Sequence, residues 1–281
     1  MKLWVALPDT LTIDSHHLRD KTLKIGQIAR AAALFGVSKI FIYKEGEGHE
    51  DEFRQIKLIL EYLETPQYLR KKIFPYMKML KYAGILPPLK IPHHLPKVPL
   101  TEIKLGEYRE GIISETKGQV LADLGLSSPI PVDSKGKKGE RITVRFTSVF
   151  PNVRVRQVRK EEIKQYWGYE VERSLSLSNL IKNNKDTLVI FTSKKGKIIK
   201  KVWKELIKLQ ERYKNLMLIF GSPKRGIFEI LSDEGLDPFR LSKYTLNIIP
   251  NQKVDTIRIE EAFLASLAVL NIIFLDDNKI V

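Results

Sequence analysis

Three loops near the C-terminal end of the chain hold the residue types that could do chemistry: "FTSKKG" (191–196), "FGSPKRG" (220–226) and "IIPNQKVDTIRIEEA" (248–262). Each follows an apolar run of strand character and is rich in small or backbone-exposing residues. In a parallel sheet the carboxyl ends of the strands share one edge, and ligands bind there. The loops carry little side-chain charge for a polyphosphate. The ligand that suits them is held by backbone amides and carbonyls in a narrow slot, such as an adenosine. Other nucleotide cradles do not match. No G-x-x-x-x-G-K-[ST] occurs. "KEGEGHED" supplies Gly46 and Gly48 but no third glycine, and Glu45 and Glu47 would repel a pyrophosphate. A P-loop and a Rossmann dinucleotide site are therefore not expected. The basic "SKKG" (193–196) reads equally as a phosphate contact or a solvated turn.

Metal and thiol chemistry find no support. The chain has no cysteine, which excludes disulfides, zinc ribbons and thiol catalysis. His16, His17, His93 and His94 form adjacent pairs, not the i, i+4 spacing of a helical zinc site, and no acidic partner stands near them. No metal is expected.

The charge balance points to a polyanion. The 281 residues include 48 basic and 33 acidic side chains, a net charge of +15. A chain that is merely rich in Lys would raise its acids in step. Between Lys135 and Lys164 there are ten bases and only three acids (Glu140, Glu161, Glu162). Nucleic-acid binding is the expectation, with Lys137, Lys138, Arg141, Arg145, Arg154 and Arg156 as the candidate contacts. No apolar run approaches the roughly 20 residues of a membrane span. Pro8 and Asp9 interrupt the N-terminus too early for a secretory signal. A soluble cytoplasmic protein is expected.

The elements that must position these residues follow from periodicity. "KLWVAL" (2–7) and "SKIFIY" (38–43) read as buried strands. Between them lies a helix stopped at Gly36, with Ile25, Ile28, Ala29 and Ala32 on one face. One helix is expected over about 50–64. A second runs from Pro66 to Gly84, with Leu69, Ile73, Tyr76 and Leu80 at helical spacing. "LPPLKIPHHLPKVP" is a connector that proline keeps irregular. Across about 90–165 the texture changes to short runs of partial period-two alternation split by Gly, Pro, Asn and Asp. This predicts a small antiparallel unit, plausible as a five-stranded OB-like barrel, with an irregular β excursion as the alternative. From Trp167 the α/β texture returns: a helix over about 173–182, strands at "TLVIFT", "NLMLIFG" and "YTLNIIP", an amphipathic helix over 197–213, a short helix at "GIFEIL" and a final helix over 256–271. The fold class is thus α/β, a mostly parallel sheet interrupted by a β insertion. "LDDNKIV" reads as an ordinary surface tail.

"FGSPKRG" followed by "NIIPNQKVDTIRIEEAFLASLAVLN" resembles the second and third signature motifs of the SPOUT class of RNA methyltransferases. The N-terminal half resembles its archaeal and eukaryotic branch, assigned to uridine methylation, through "ALPDTL", "LRDKT", "IGQIARAAALFGVSKIFIY", "PQYLRKKIF", "GILPPL", "PHH" and "YREG". The resemblance covers nearly the whole chain. It implies a C-terminal deep trefoil knot, one of the exceptions to the rule against knots. It divides the chain into residues 1–89, the N-terminal part of the α/β domain; 90–165, an OB-like insertion that binds RNA; and 166–281, the knotted part. It also implies S-adenosylmethionine as cofactor, ribosomal RNA as substrate and a homodimer. The final helix, apolar nearly all round, needs a cover in any case.

Carried over position by position, the first motif places Thr192, Ser193 and Gly196 beside the cofactor. The second places Phe220, Gly221, Ser222, Pro223 and Gly226, and the third Ile249, Pro250, Asn251, Gln252, Thr256 and Ile257. Lys253 stands where many relatives have glycine. "TIRIEEA" resembles the R-x-E-T-A segment of bacterial uridine-N3 methyltransferases through Arg258 and Glu260. Glu261 replaces the threonine, so it inherits no role as a base. The implied reaction is in-line displacement at a sulfonium methyl by a uracil N3 that loses its proton. The protein must hold the partners together and stabilise an anionic ring. Arg258 is the first candidate donor, or else a helix-start arginine bound to Glu260 or a partner chain. Arg19 is the second, or else a contact to RNA phosphate. The alternative function is a non-catalytic RNA-binding or ribosome-assembly factor that keeps the knot. A weaker third is a DNA-binding protein of OB type.

Overall fold

The computed structural model describes residues 1–116 and 119–274; the "LDDNKIV" segment lies outside the described residues. The elements in chain order are β1 (Lys2–Pro8), α1 (Leu18–Leu34), β2 (Val37–Tyr43), α2 (Glu50–Glu64), α3 (Gln67–Ile73), β3 (Tyr108–Thr116), β4 (Gln119–Asp123), β5 (Ile130–Pro131), β6 (Arg141–Ser148), β7 (Arg154–Val158), β8 (Glu170–Ser174), α4 (Leu177–Asn183), β9 (Thr187–Ile198), α5 (Trp203–Leu209), β10 (Asn215–Ile219), α6 (Ile227–Asp233), α7 (Pro238–Leu241), β11 (Tyr244–Asn247) and α8 (Ile259–Ile273). The chain forms two compact units. One holds residues 1–61, 79–89 and 169–281; the other holds 62–78 and 90–168.

The first unit is built on a six-stranded sheet of order β11-β9-β10-β1-β2-β8. Every pairing described in it is parallel. The central strands are buried on both faces, with Val5, Ala6, Leu7, Ile40, Ile42, Leu218 and Ile219 fully enclosed. That explains their unbroken apolar runs, since helices cover both faces of such a sheet. On α1 the expected face of Ile25, Ile28, Ala29 and Ala32 is buried.

Three expected elements differ. The helix foreseen from Pro66 to Gly84 ends at Ile73, and short 3-10 turns follow at Lys78–Leu80 and Ala83–Ile85. Pro75 lacks the N–H that another helical turn requires. The helix foreseen over 173–182 is the strand β8 followed by α4, which starts at Leu177 behind a Ser176 cap accepting from Asn179 N–H. The long amphipathic helix over 197–213 shrinks to α5, because β9 runs on to Ile198 and pairs with β11 there.

The second unit carries a five-stranded antiparallel sheet of order β5-β4-β3-β6-β7. Its core contains Ile113, Ala122, Leu124, Val144 and Phe146. A buried charge network braces it. Glu110 on β3 accepts from Thr143 Oγ1 at 2.7 Å and Trp167 Nε1 at 2.6 Å, and Arg141 Nη2 lies 3.1 Å from it. Arg141 Nη1 reaches Glu64 Oε2 at 2.7 Å. Burial alone would raise the Glu64 carboxyl. The Arg141 guanidinium and His93 outweigh burial and hold it at about 2. His93 is fully buried; its Nε2 lies 2.8 Å from the Glu64 carbonyl oxygen, and its ring is near Trp167. Arg141, expected among the RNA contacts, thus spends its guanidinium on two internal carboxylates.

Candidate functional site

The three C-terminal loops converge. Strands β9 and β10 are neighbours in register, Ile219 beside Phe191, and β11 lies on the far side of β9. The loops leaving them therefore emerge at one edge and enclose a cavity of about 340 Å3. Ligand pockets commonly start near 300 Å3. Of the fourteen residues expected at the cofactor, eleven line it: Thr192, Ser193, Phe220, Gly221, Ser222, Pro223, Gly226, Ile249, Gln252, Thr256 and Ile257. Asn251 instead borders an adjoining, more open hollow with Lys194 and Lys195. Its backbone is left-handed, φ 58°, a conformation that asparagine adopts more readily than most residues. Gly196 and Pro250 do not line the cavity.

Gly196 has a different task. A Cβ there would lie 2.7 Å from Thr245 C, Thr245 O and Leu246 C. The missing side chain lets β9 and β11 close on each other where their register shifts between Thr245 and Leu246.

Hydrogen bonds within the loops fix their shape. Ser222 N–H donates to the Arg225 carbonyl at 2.9 Å, and Arg225 N–H returns to Ser222 Oγ at 3.0 Å. A Cβ on Gly221 would meet the same Arg225 oxygen at 2.8 Å, so the turn is closed tightly against its own backbone. Thr192 Oγ1 donates to the Ile219 carbonyl at 3.0 Å, tying the first loop to the second strand. Gln252 Nε2 donates to the carbonyls of Val254 and Asp255, and Asn247 Nδ2 to that of Lys194. The cavity wall mixes hydroxyls from Thr192, Ser193, Ser222 and Thr256 with apolar surface from Phe220, Ile248 and Ile257. Sequence reasoning missed Ser266 of α8, which lines the cavity although α8 is apolar nearly all round.

The two expected catalytic arginines lie outside the cavity lining. Arg258 is exposed at the N-cap of α8, where its backbone N–H donates to Glu261 Oε2 at 3.0 Å. It stands between Ile257 and Ile259, both of which do line the cavity. Arg19 is exposed in the first turn of α1, not in a strand-end loop. In the other unit, Lys137 and Lys138 are exposed between β5 and β6. Arg145, Arg154 and Arg156 are exposed on β6 and β7. Arg145 and Arg156 are direct cross-strand partners, and Arg156 also meets Glu162 at 3.0 Å. Like charges facing each other across a sheet oppose folding, and the Glu162 carboxylate offsets part of that repulsion. No group of three His, Asp or Glu that could hold a metal occurs among the described residues.

A buried acid pair stands behind the second loop. Asp9, past β1, and Glu45, past β2, are 2% and 6% exposed. Burial pushes the Asp9 carboxyl up to about 6, against the Glu45 backbone N–H and His49, which pull it down. Because this acid holds its proton more tightly folded than unfolded, its ionisation opposes folding. Stability falls as pH rises from about 4 to about 6 and stays lower above. Asp9→Asn is therefore expected to stabilise the protein by up to about 3 kcal/mol near neutral pH, with the gain vanishing near pH 4. Urea unfolding at both pH values checks this; equal stabilities at neutral pH would contradict it.

A family model described as "Putative RNA methyltransferase" matches residues 2–270. A Drosophila melanogaster protein named 28S rRNA (uridine-N(3))-methyltransferase is 30% identical over 95% of this chain, and the match covers 61% of that protein's length. The Mus musculus protein of the same name is 31% identical over 95% of this chain and 75% of its own. An uncharacterized protein of Haloarcula marismortui is 30% identical over 95% of this chain and 98% of its own. A match running almost end to end, over a chain whose strand-end loops close around one cavity, means that this protein belongs to that family of RNA methyltransferases.

Proposed function

We propose that the protein is an S-adenosylmethionine-dependent methyltransferase acting on N3 of a uridine in ribosomal RNA. The observation that carries the reading is the cavity shared by all three motif loops, in a chain whose relatives are named uridine-N3 methyltransferases. The lining suits the cofactor: apolar walls for an adenine and hydroxyls for polar groups, with Lys194, Lys224 and Arg225 on the wall balanced in part by Glu229 and Asp255. When bound, S-adenosylmethionine supplies a methyl group on a sulfonium. The chain's part is to hold the loop backbones in place, exclude water and bring a uracil in line, where positioning does much of the work. Arg258 is the proposed hydrogen-bond donor to the uracil as it becomes anionic, and Arg19 the second such donor.

The rest of the reading follows the same resemblance. The 166–281 segment threads as the deep knot of the SPOUT class, supported by the return of β11 alongside β9 and by the close approach at Gly196. Residues 90–165 serve as an OB-like insertion that binds RNA through Lys137, Lys138, Arg145, Arg154 and Arg156. A homodimer in the cytoplasm completes the proposal, supported by Leu264 and Ile272, apolar side chains of α8 that are exposed in the single chain.

Titration with S-adenosylmethionine by calorimetry, together with transfer of labelled methyl to ribosomal RNA, tests the proposal. Expected are a binding heat, a raised melting temperature and N3-methyluridine by mass spectrometry. A protein that binds RNA but neither binds the cofactor nor transfers methyl would instead be the binding-only factor.

A further inference from the structure

The cavity wall at Ser222 is pinned by residues from the opposite end of the chain. Glu45 Oε1 accepts from Ser222 Oγ at 3.0 Å, with Arg225 Nη1 3.7 Å away. Glu45 Oε2 accepts from Thr10 Oγ1, and the Glu45 backbone N–H donates to Asp9 Oδ1 at 3.0 Å. Beside it the buried Tyr43 hydroxyl donates to the Phe220 carbonyl at 2.7 Å. Burial pushes the Tyr43 phenol well up, so it stays a donor. The end of β2 thus holds the 220–226 loop at Phe220 and Ser222, while Thr10 and Asp9, past β1, hold Glu45 in place.

The Ser222 hydroxyl is the joint. It accepts from Arg225 N–H and donates toward Glu45; the Arg225 carbonyl, at 3.4 Å, is its weaker alternative acceptor. With Glu45 in place the hydroxyl points away from that alternative, and both lone-pair and proton directions are set. Without Glu45 the hydroxyl is free to turn, and Arg225 loses a carboxylate that draws it toward the loop.

We infer that Glu45 is a positioning residue for methyl-donor binding, acting through Ser222 to hold the wall of the cavity. This rests on the proposal that the cavity binds S-adenosylmethionine. It reverses the sequence reading of Glu45 as a charge that would face and repel a phosphate: the carboxylate is turned inward and serves the neighbouring loop.

The test uses the full chain, with S-adenosylmethionine as the probe and methyl transfer to ribosomal RNA as the second readout. Glu45→Ala is expected to raise the donor Kd and KM at least about tenfold, the effect of one lost hydrogen bond to a charged acceptor. At saturating donor, kcat should stay within about threefold of wild type. Glu45→Gln, whose carbonyl can still accept from Ser222, is expected to restore donor affinity to within about threefold. Ser222→Ala, a change on the loop that leaves the buried acids in place, should weaken binding as Glu45→Ala does, and the double variant no further, because the two act as one unit. Wild-type affinity in Ser222→Ala, equal losses in Glu45→Gln and Glu45→Ala, or additive losses in the double variant would each overturn the inference. If Glu45→Ala fails to fold, Ser222→Ala and Glu45→Gln decide. A wild-type protein that does not bind the donor counts against the proposed function itself.

Discussion

Replacing Arg141 by methionine is expected to cost the antiparallel unit about 3–5 kcal/mol, the penalty for leaving a buried charge without its partner. Two carboxylates depend on this guanidinium, Glu64 at 2.7 Å and Glu110 at 3.1 Å, and both are nearly inaccessible to solvent. Glu64 has nowhere to send its charge near neutral pH, since its carboxyl sits at about 2 in the folded protein. The same network gives an acid limb. A carboxyl held below its ordinary 4.5 contributes stability that is complete above that value and is lost as pH falls through about 2, about 3 kcal/mol in all. Arg141→Met should remove this limb along with the stability. Arg145→Ala and Arg156→Ala should behave oppositely. Their stability should stay within about 0.5 kcal/mol of wild type, while RNA affinity falls and its salt dependence flattens. Urea unfolding and filter binding over a salt series separate the two classes. An Arg141→Met protein as stable as wild type would show that the triad is not what braces this unit.

Gly196→Ala is expected to destabilise the protein by about 1–3 kcal/mol or more, the range for forcing atoms into a filled space, and to abolish donor binding. All three atoms that its Cβ would meet at 2.7 Å are main-chain atoms of β11, so no side chain can swing aside. The strands must separate at the register shift. The displaced strand leads into the loop that supplies Ile249, Gln252, Thr256 and Ile257 to the cavity. Gly226→Ala is the control on stability. Gly226 has φ −75°, and a Cβ there meets nothing within 4 Å. Melting curves and calorimetric titration of both variants check the pair; wild-type melting and donor affinity in Gly196→Ala would remove the close-approach explanation.

The sequence was most legible where one physical rule dominated. Central strands of a parallel sheet are dry on both faces, and β1, β2 and β10 announce themselves as apolar runs. The loops after them are marked by Gly, Ser and Pro, which located the edge of the cavity, and the motif resemblance then supplied eleven of its twenty-two lining residues. Legibility failed where position overrides composition. The edge strand β8 carries Glu170, Glu172 and Arg173, and Lys39 meets Glu172 at 2.5 Å across the pairing with β2. Charges guard an open edge, and here they disguised a strand as a helix start. The tail of β9 is polar: the described pairing with β10 stops at Phe191, and beyond it the described pairing is with β11. Asp9 and Glu45 come together with Ser222 through strand order alone, which no local window reveals. The arginines differ for a similar reason: Arg141 and Arg145 are alike in sequence, and Glu64 at the end of α2 together with Glu110 on β3 decides that Arg141 is the one neutralised.

The placement of β1 also sets a timetable for biosynthesis. Lys2 lies beside Asn215 and Ala6 beside Ile219, so one of the two strands that flank β1 is synthesised only after roughly 200 further residues. Until then β1 and β2 present an open hydrogen-bonding flank, and the apolar face on which Leu180, Ile227 and Ile230 pack has no cover, a condition in which nascent chains aggregate. A stall in synthesis before β10 emerges is therefore expected to be more damaging than one after it.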